Sequence, residues 1–122
     1  MSASNTFVWC DIPVNDLDRA IKFYGAVLGQ AIQKQTFGGM SFGVLPHAGE
    51  SASGCLVKTG EAQPSVNGPL IYLNCEGRLD AAIGEAEKNG GKILQPKHQI
   101  GPYGFRAVIL DSEGNRIALH SK

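Results

Sequence analysis

Apolar and polar side chains alternate through "FVWCDIPV", residues 7–14, the period of a β-strand. From Asn15 the period lengthens. Leu17, Ile21, Tyr24 and Leu28 fall on one helical face, and Gly29 follows where a helix would stop. Asn15 is a suitable N-cap, with Asp16 and Asp18 in the first turn, where the helix dipole favours acids. Three shorter strands are then predicted over residues 31–36, 40–45 and 54–58. Gly38-Gly39 makes the first turn between them, and "PHAGESAS" a polar loop before the last.

The same order then recurs. "PLIYLNC" reads as a strand, and Leu79, Ala82, Ile83 and Ala86 form the stripe of a second helix ending at Asn89-Gly90-Gly91. Strands follow at 92–94, 105–110 and 116–120, with "QPKHQIGPYG" as the longest irregular stretch and a candidate rim or lid. Leu17-Asp18-Arg19-Ala20-Ile21 matches Leu79-Asp80-Ala81-Ala82-Ile83 at equivalent places. The chain is thus a single α+β domain over 1–122, built from two β-α-β-β-β modules at about 5–60 and about 68–122. "GEAQPSVNG", rich in turn formers, links them.

Alternation also sorts each strand into two faces. Val8, Cys10, Ile12 and Val14 are the apolar set of the first strand and pack under the helix, so Trp9 and Asp11 face away. Ile71, Leu73 and Cys75 leave Leu70, Tyr72 and Asn74 opposite. In the last strand Ile117 and Leu119 leave Arg116, Ala118 and His120. An aromatic, acidic, amide and imidazole mixture is what lines a concave pocket, mostly apolar with a few placed polar groups. The expected ligand-binding set is Trp9, Asp11, Lys58, Leu70, Tyr72, Asn74, Ala118 and His120. Lys58 enters it because it holds, by the repeat offset, the place of His120. Asp11 and His120 are the candidate acid–base residues. Each has a plain structural reading too: Asp11 as a strand-end carboxylate paired with Arg106 or Arg116, and His120 as a partly exposed strand end.

Composition narrows the classes of partner. The 122 residues hold 43% hydrophobic and 18% charged residues, as expected of one ordinary folded domain. Eleven basic and eleven acidic side chains cancel, which offers no field for nucleic acid or an anionic membrane. No apolar run has the length of a membrane span, and "MSASNTFVWCDIP" lacks the basic and apolar regions of a signal peptide. Cys10, Cys55 and Cys75 are odd in number and widely spaced. They read as reduced cytoplasmic thiols, buried as small hydrophobes on or beside the helix-facing side.

"VNDLDRAIKFYGAVLG", with the closing "DSEGNRIALHS", resembles the vicinal oxygen chelate superfamily, which includes glyoxalase I, bleomycin-resistance proteins and extradiol dioxygenases. The resemblance covers nearly the whole chain and is similar above all to small bacterial glyoxalase-like proteins. It implies a curled mixed sheet forming a half-barrel cleft, a homodimer, and in the enzymes one divalent metal. Carried over, the metal-ligand positions match Trp9, roughly Leu56, Leu70 and Ala118, and none of these side chains binds a metal. Expected metal ligands and cofactors are therefore none, with one divalent metal relocated to His47, His98, His120 and Asp11 as the alternative. The function expected is binding of a small, partly aromatic molecule without the usual metal. The alternative is a glyoxalase-type lyase or isomerase acting on a small carbonyl compound.

Overall fold

The computed structural model describes residues 5–49 and 51–122. The start of the N-terminal stretch and Glu50 of the predicted polar loop lie outside the described residues. Strand β1, Trp9–Pro13, leads into helix α1, Leu17–Leu28, and on to β2, Gln33–Phe37, β3, Met40–Val44, and β4, Ser53–Val57. The second module repeats this order with β5, Ile71–Asn74, α2, Leu79–Lys88, β6, Lys92–Gln99, β7, Phe105–Leu110, and β8, Arg116–Ser121. A single 3₁₀ turn, Gly101–Tyr103, sits between β6 and β7. Two β-α-β-β-β modules are thus observed. Their mixed sheets run β1-β4-β3-β2 and β5-β8-β7-β6, and the two sheets are neither joined nor closed. In each, the first strand pairs in parallel with the last, because the intervening helix carries the chain back to the same end.

One apolar core serves both modules. Ile12, Val14, Phe23, Tyr24, Val27 and Leu56 pack together with Leu73, Leu79, Ile109, Ile117 and Leu119. The residues sent inward are those alternation selected on β5 and β8 and, on β1, Cys10, Ile12 and Val14; Val8, expected under the helix, is 45% exposed because it lies before the paired strand begins. On α1 the buried face is centred on Ala20, Phe23, Tyr24 and Val27, with Leu17, Ile21 and Leu28 at its margin. The predicted stripe is therefore rotated, because α1 packs against the other module as well as its own sheet. Asp16, one residue later than expected, is the N-cap, and its carboxylate accepts from the Arg19 N–H at 3.1 Å. Gly29 ends the helix at φ 69°, a left-handed conformation that glycine adopts without a Cβ clash.

Both ends of α1 are held by the second module. Glu113 accepts from the backbone N–H of Asn15 at 2.9 Å and of Asp16 at 2.7 Å, while Arg78 donates to the Val27 carbonyl. An acid at the N-terminus and a cation at the C-terminus both complement the helix dipole. The Asn115 side chain also donates to the Pro13 carbonyl at 2.8 Å and accepts from the Ser65 N–H at 3.1 Å. The turn at 111–115 therefore stitches the modules together.

Two expectations are corrected here. The stretch 95–99 is not loop: β6 continues to Gln99, with register shifts between Ile93 and Gln95 and between Gln95 and His98. Pro96 is tolerated because β6 is an edge strand, where a missing N–H costs no ladder bond on its free side. Leu56 is fully buried in the core and does not face the sheet's other side. Its register partner Gly43 lies under Ile21 and Ile32, which fixes that parity as helix-facing. Cys55 and Val57 take the opposite face.

Candidate functional site

On the face of the first sheet away from α1, Trp9 and Asp11 are neighbours, as alternation predicts. The Trp9 indole N–H donates to Asp11 Oδ1 at 3.1 Å, and the Cys55 thiol lies 3.4 Å from the same oxygen. Asp11 thus pairs with an indole and a thiol, and neither Arg106 nor Arg116 forms an ion pair with it among the described residues. Burial, reinforced by the bond to Asp11, pushes the Cys55 thiol up to about 11, so it stays protonated as a donor. This is a correction for Cys55: it lies on the outward face beside Asp11, while Cys10 and Cys75 pack with the core. Burial raises both of those thiols too, with Asp11 adding to the effect at Cys10.

The second sheet carries the larger constellation. In register, His98 of β6 lies opposite Arg106 of β7, which lies opposite His120 of β8, which lies opposite Asn74 of β5. Arg106 Nε donates to His98 Nε2 at 3.0 Å, and its Nη1 donates to the Tyr72 hydroxyl at 2.5 Å. His98 Nδ1 lies 2.9 Å from the Pro96 carbonyl, which can only accept. The proton is therefore on Nδ1, and Nε2 is free to accept from the guanidinium. His120 Nε2 donates to the Tyr103 carbonyl at 2.6 Å, which leaves Nδ1 open, and its ring stands edge-on to Tyr72 at 6.2 Å. Tyr72, Ile100, Tyr103 and His120 line a hollow of about 410 Å³.

The remaining expected residues are less engaged. Asn74 is exposed, and its carbonyl oxygen accepts from the Glu76 N–H at 2.9 Å. Ala118 is fully buried between its register partners Tyr72 and Val108, and Leu70 is half-buried before β5. Lys58 lies one residue past β4 and is exposed, with the parity of Leu56 and not of Cys55. Trp9 and Asp11 make their contacts within the first sheet, Tyr72 and His120 within the second. Among the described residues no hydrogen bond or ring contact joins the two pairs. Sequence reasoning named His98 only in the alternative metal set and missed Ile100, Tyr103 and Arg106 as site residues.

A divalent metal does not fit the residues present. Trp9, Leu70 and Ala118 offer no acceptor, Leu56 is in the core, and no three His, Cys, Asp or Glu side chains converge among the described residues. His47 lies apart in the first module, its Nδ1 3.2 Å from the Gly49 carbonyl.

The sequence model of the Glyoxalase/Bleomycin resistance protein/Dioxygenase superfamily matches residues 6–119. The chain belongs to this superfamily. Solved structures of other members share its fold. A glyoxalase/bleomycin resistance protein from Albidiferax ferrireducens T118 is 21% identical with a TM-score of 0.76, covering 97% of this chain and 99% of its own. A glyoxalase/bleomycin resistance protein/dioxygenase family enzyme from Burkholderia phytofirmans PsJN is 16% identical with a TM-score of 0.70, covering 93% and 96%. A glyoxalase I mutant from Zea mays is 20% identical with a TM-score of 0.67, over 91% of this chain and 44% of that one. No curated protein matches the chain. Among the described residues of this superfamily member, no helix is long and apolar enough to cross a membrane.

Proposed function

We propose that this superfamily member binds a small, partly aromatic molecule on the outward face of its second sheet, without a resident metal. The observation that supports this most is the hollow of about 410 Å³ walled by Tyr72, Ile100, Tyr103 and His120. The hollow is broad and open to solvent, and its walls are mainly aromatic and aliphatic with few polar atoms. Tyr72 and Tyr103 are 47% and 73% exposed, so a ligand would gain substantial apolar contact there. A lyase or isomerase of the glyoxalase type is the second reading. It draws support from the open Nδ1 of His120 beside the Tyr72 ring, a place for a proton acceptor. The outward face of the first sheet, with Trp9, Phe37 and Met40 exposed, supports a homodimer in which that face is covered.

Calorimetric titration with naphthylmethanol, a neutral aromatic probe, tests the binding reading. Binding is expected to the parent and to be weakened in Tyr72→Ala, with the fold checked by circular dichroism. No binding to the parent, or equal binding to both, would sink the assignment of this hollow. Metal analysis after dialysis tests the other half: stoichiometric zinc, nickel or iron would overturn the metal-free reading.

A further inference from the structure

Arg106 is a half-buried cation without a carboxylate partner. Four ion pairs are formed among the described residues, by Arg19, Lys34, Lys88 and Lys97, and Arg106 is in none of them. Its two side-chain hydrogen bonds go to neutral acceptors, the His98 imidazole and the Tyr72 phenol. A guanidinium has five N–H donors in a planar fork. The second hydrogen of Nη1 and both hydrogens of Nη2 are therefore left without a protein acceptor among the described residues.

This fork is held in place. The Nε bond to His98 fixes it from β6, and the Nη1 bond to Tyr72 fixes it from β5, with the cation 5.8 Å from the Tyr72 ring centroid. His98 is itself anchored by its Nδ1–H on the Pro96 carbonyl. A side chain locked from two sides loses little rotamer freedom on binding, so its free donors are pre-organised. Tyr72, which Arg106 touches, is also a wall of the aromatic hollow. On the same sheet face, Arg116 adds a second cation, and its Nη2 reaches only the Gly68 carbonyl at 3.5 Å.

We propose that Arg106 is the anion-recognition residue of this hollow, and that the ligand is an aromatic or otherwise planar carboxylate. Its ring packs against Tyr72, Tyr103 and His120, and its carboxylate takes the free Nη1 and Nη2 hydrogens. This rests on the reading of the hollow as the ligand site, and adds the chemical class of what enters it. The pairing of a flat apolar wall with a rigid, acid-free guanidinium favours a carboxylate over a neutral ring, because an unpaired half-buried fork gains more from a charged acceptor than from water.

The test compares naphthoate with naphthylmethanol, which have the same rings with and without the charge, by calorimetry at low salt. The parent is expected to bind naphthoate about tenfold or more tightly, the scale of one charge-assisted hydrogen-bonding group. Arg106→Gln should remove that preference, the ratio of the two affinities falling to about one. Arg106→Lys should keep part of it, as a point charge replaces the fork. Arg116→Gln removes an equal charge from the same face and should leave the preference intact. If Arg116→Gln abolishes the preference and Arg106→Gln does not, the assignment is wrong. Equal binding of the two probes to the parent would overturn the carboxylate class and leave the aromatic hollow standing, whereas no binding of either probe would overturn both. Should Arg106→Gln fail to fold, Arg106→Lys decides: a partial preference in that variant supports recognition by the fork, and an unchanged one, with the parent preference present, overturns it in favour of a general charge effect.

Discussion

Glu113 shows how much a single side chain can carry here. Its carboxylate is inaccessible to solvent and accepts from Asn15 N–H, Asp16 N–H, Arg19 and Ser112. Burial works against its ionisation. The bond from Arg19, then those from the Asp16 backbone, Ser112 and the Asn15 backbone, outweigh it and hold the carboxyl at about 2 against an ordinary 4.5. Its stabilising contribution is therefore complete above pH 4.5 and is lost as the pH falls towards about 2, where the folded state must also take up the proton. Glu113→Gln should be less stable at neutral pH by about 1–3 kcal/mol, the scale of hydrogen bonds to a buried charged group. Between pH 4.5 and 2 it should lose less stability than the parent. Urea unfolding at several pH values reads both effects, and parallel pH profiles for the two proteins would contradict the assignment. Arg19 is half exposed, so solvent screens the Coulombic part of its pair with Glu113, and the hydrogen bonds to the carboxylate carry the effect.

At the scale of elements, the junction of β1 with β4 leaves no room for a side chain at Gly54. A Cβ placed on Gly54 would lie 2.3 Å from the Cys10 carbonyl oxygen, a backbone atom that cannot swing aside. Gly54 is the register partner of Cys10, so the parallel pairing that sets Trp9 and Asp11 on the outward face depends on a residue without a side chain. Gly54→Ala should destabilise the protein by about 2 kcal/mol or more, as overpacking without a flexible neighbour does. A thermal melt indistinguishable from the parent would mean that β1 and β4 can separate at this point without cost. Helix α1 makes the complementary point. Its capping by Glu113 and Arg78 spans sequence separations of 94 to 98 residues and 51 residues, which no local propensity can encode.

For the whole molecule, one core joins both modules through their helices, and each sheet turns its other face outward. Phe37 at 81%, Met40 at 45% and Trp9 at 39% exposure make the first of these faces unusually apolar for a surface left to solvent. A homodimer at micromolar concentration is the expected outcome in sedimentation velocity. The emission of Trp9, the only tryptophan, should shift to the blue as dimer forms on concentration. Monomer throughout, with unchanged emission, would remove the dimer proposal.

The element order, the duplication and the inward faces of β1, β5 and β8 were legible in the chain. Each depends on near neighbours: a period of two or of three to four residues, a glycine where a helix stops, a turn former between strands. That is also why Trp9 and Asp11, and Tyr72 and His120, could each be assigned to one face from alternation alone. Parity on β4 was not legible. "SGCLV" is apolar throughout, so alternation gives no sign of whether Cys55 or Leu56 faces the helix, and only the pairing with Gly43 under Ile21 decides it. Nor could "QPKHQ" show itself as a strand, because its proline and bulges break the period and only an edge position makes them tolerable. The row His98–Arg106–His120 exists through strand register across three strands, a long-range property. The turn at 111–115 marked the family in the sequence, yet its role as the joint between modules emerges only when Glu113 and Asn115 meet the start of α1 and the end of β1. Local periodicity is a matter of neighbouring side chains and backbone geometry, whereas register, helix caps from the other module and the grouping around Arg106 arise from contacts between residues far apart along the chain.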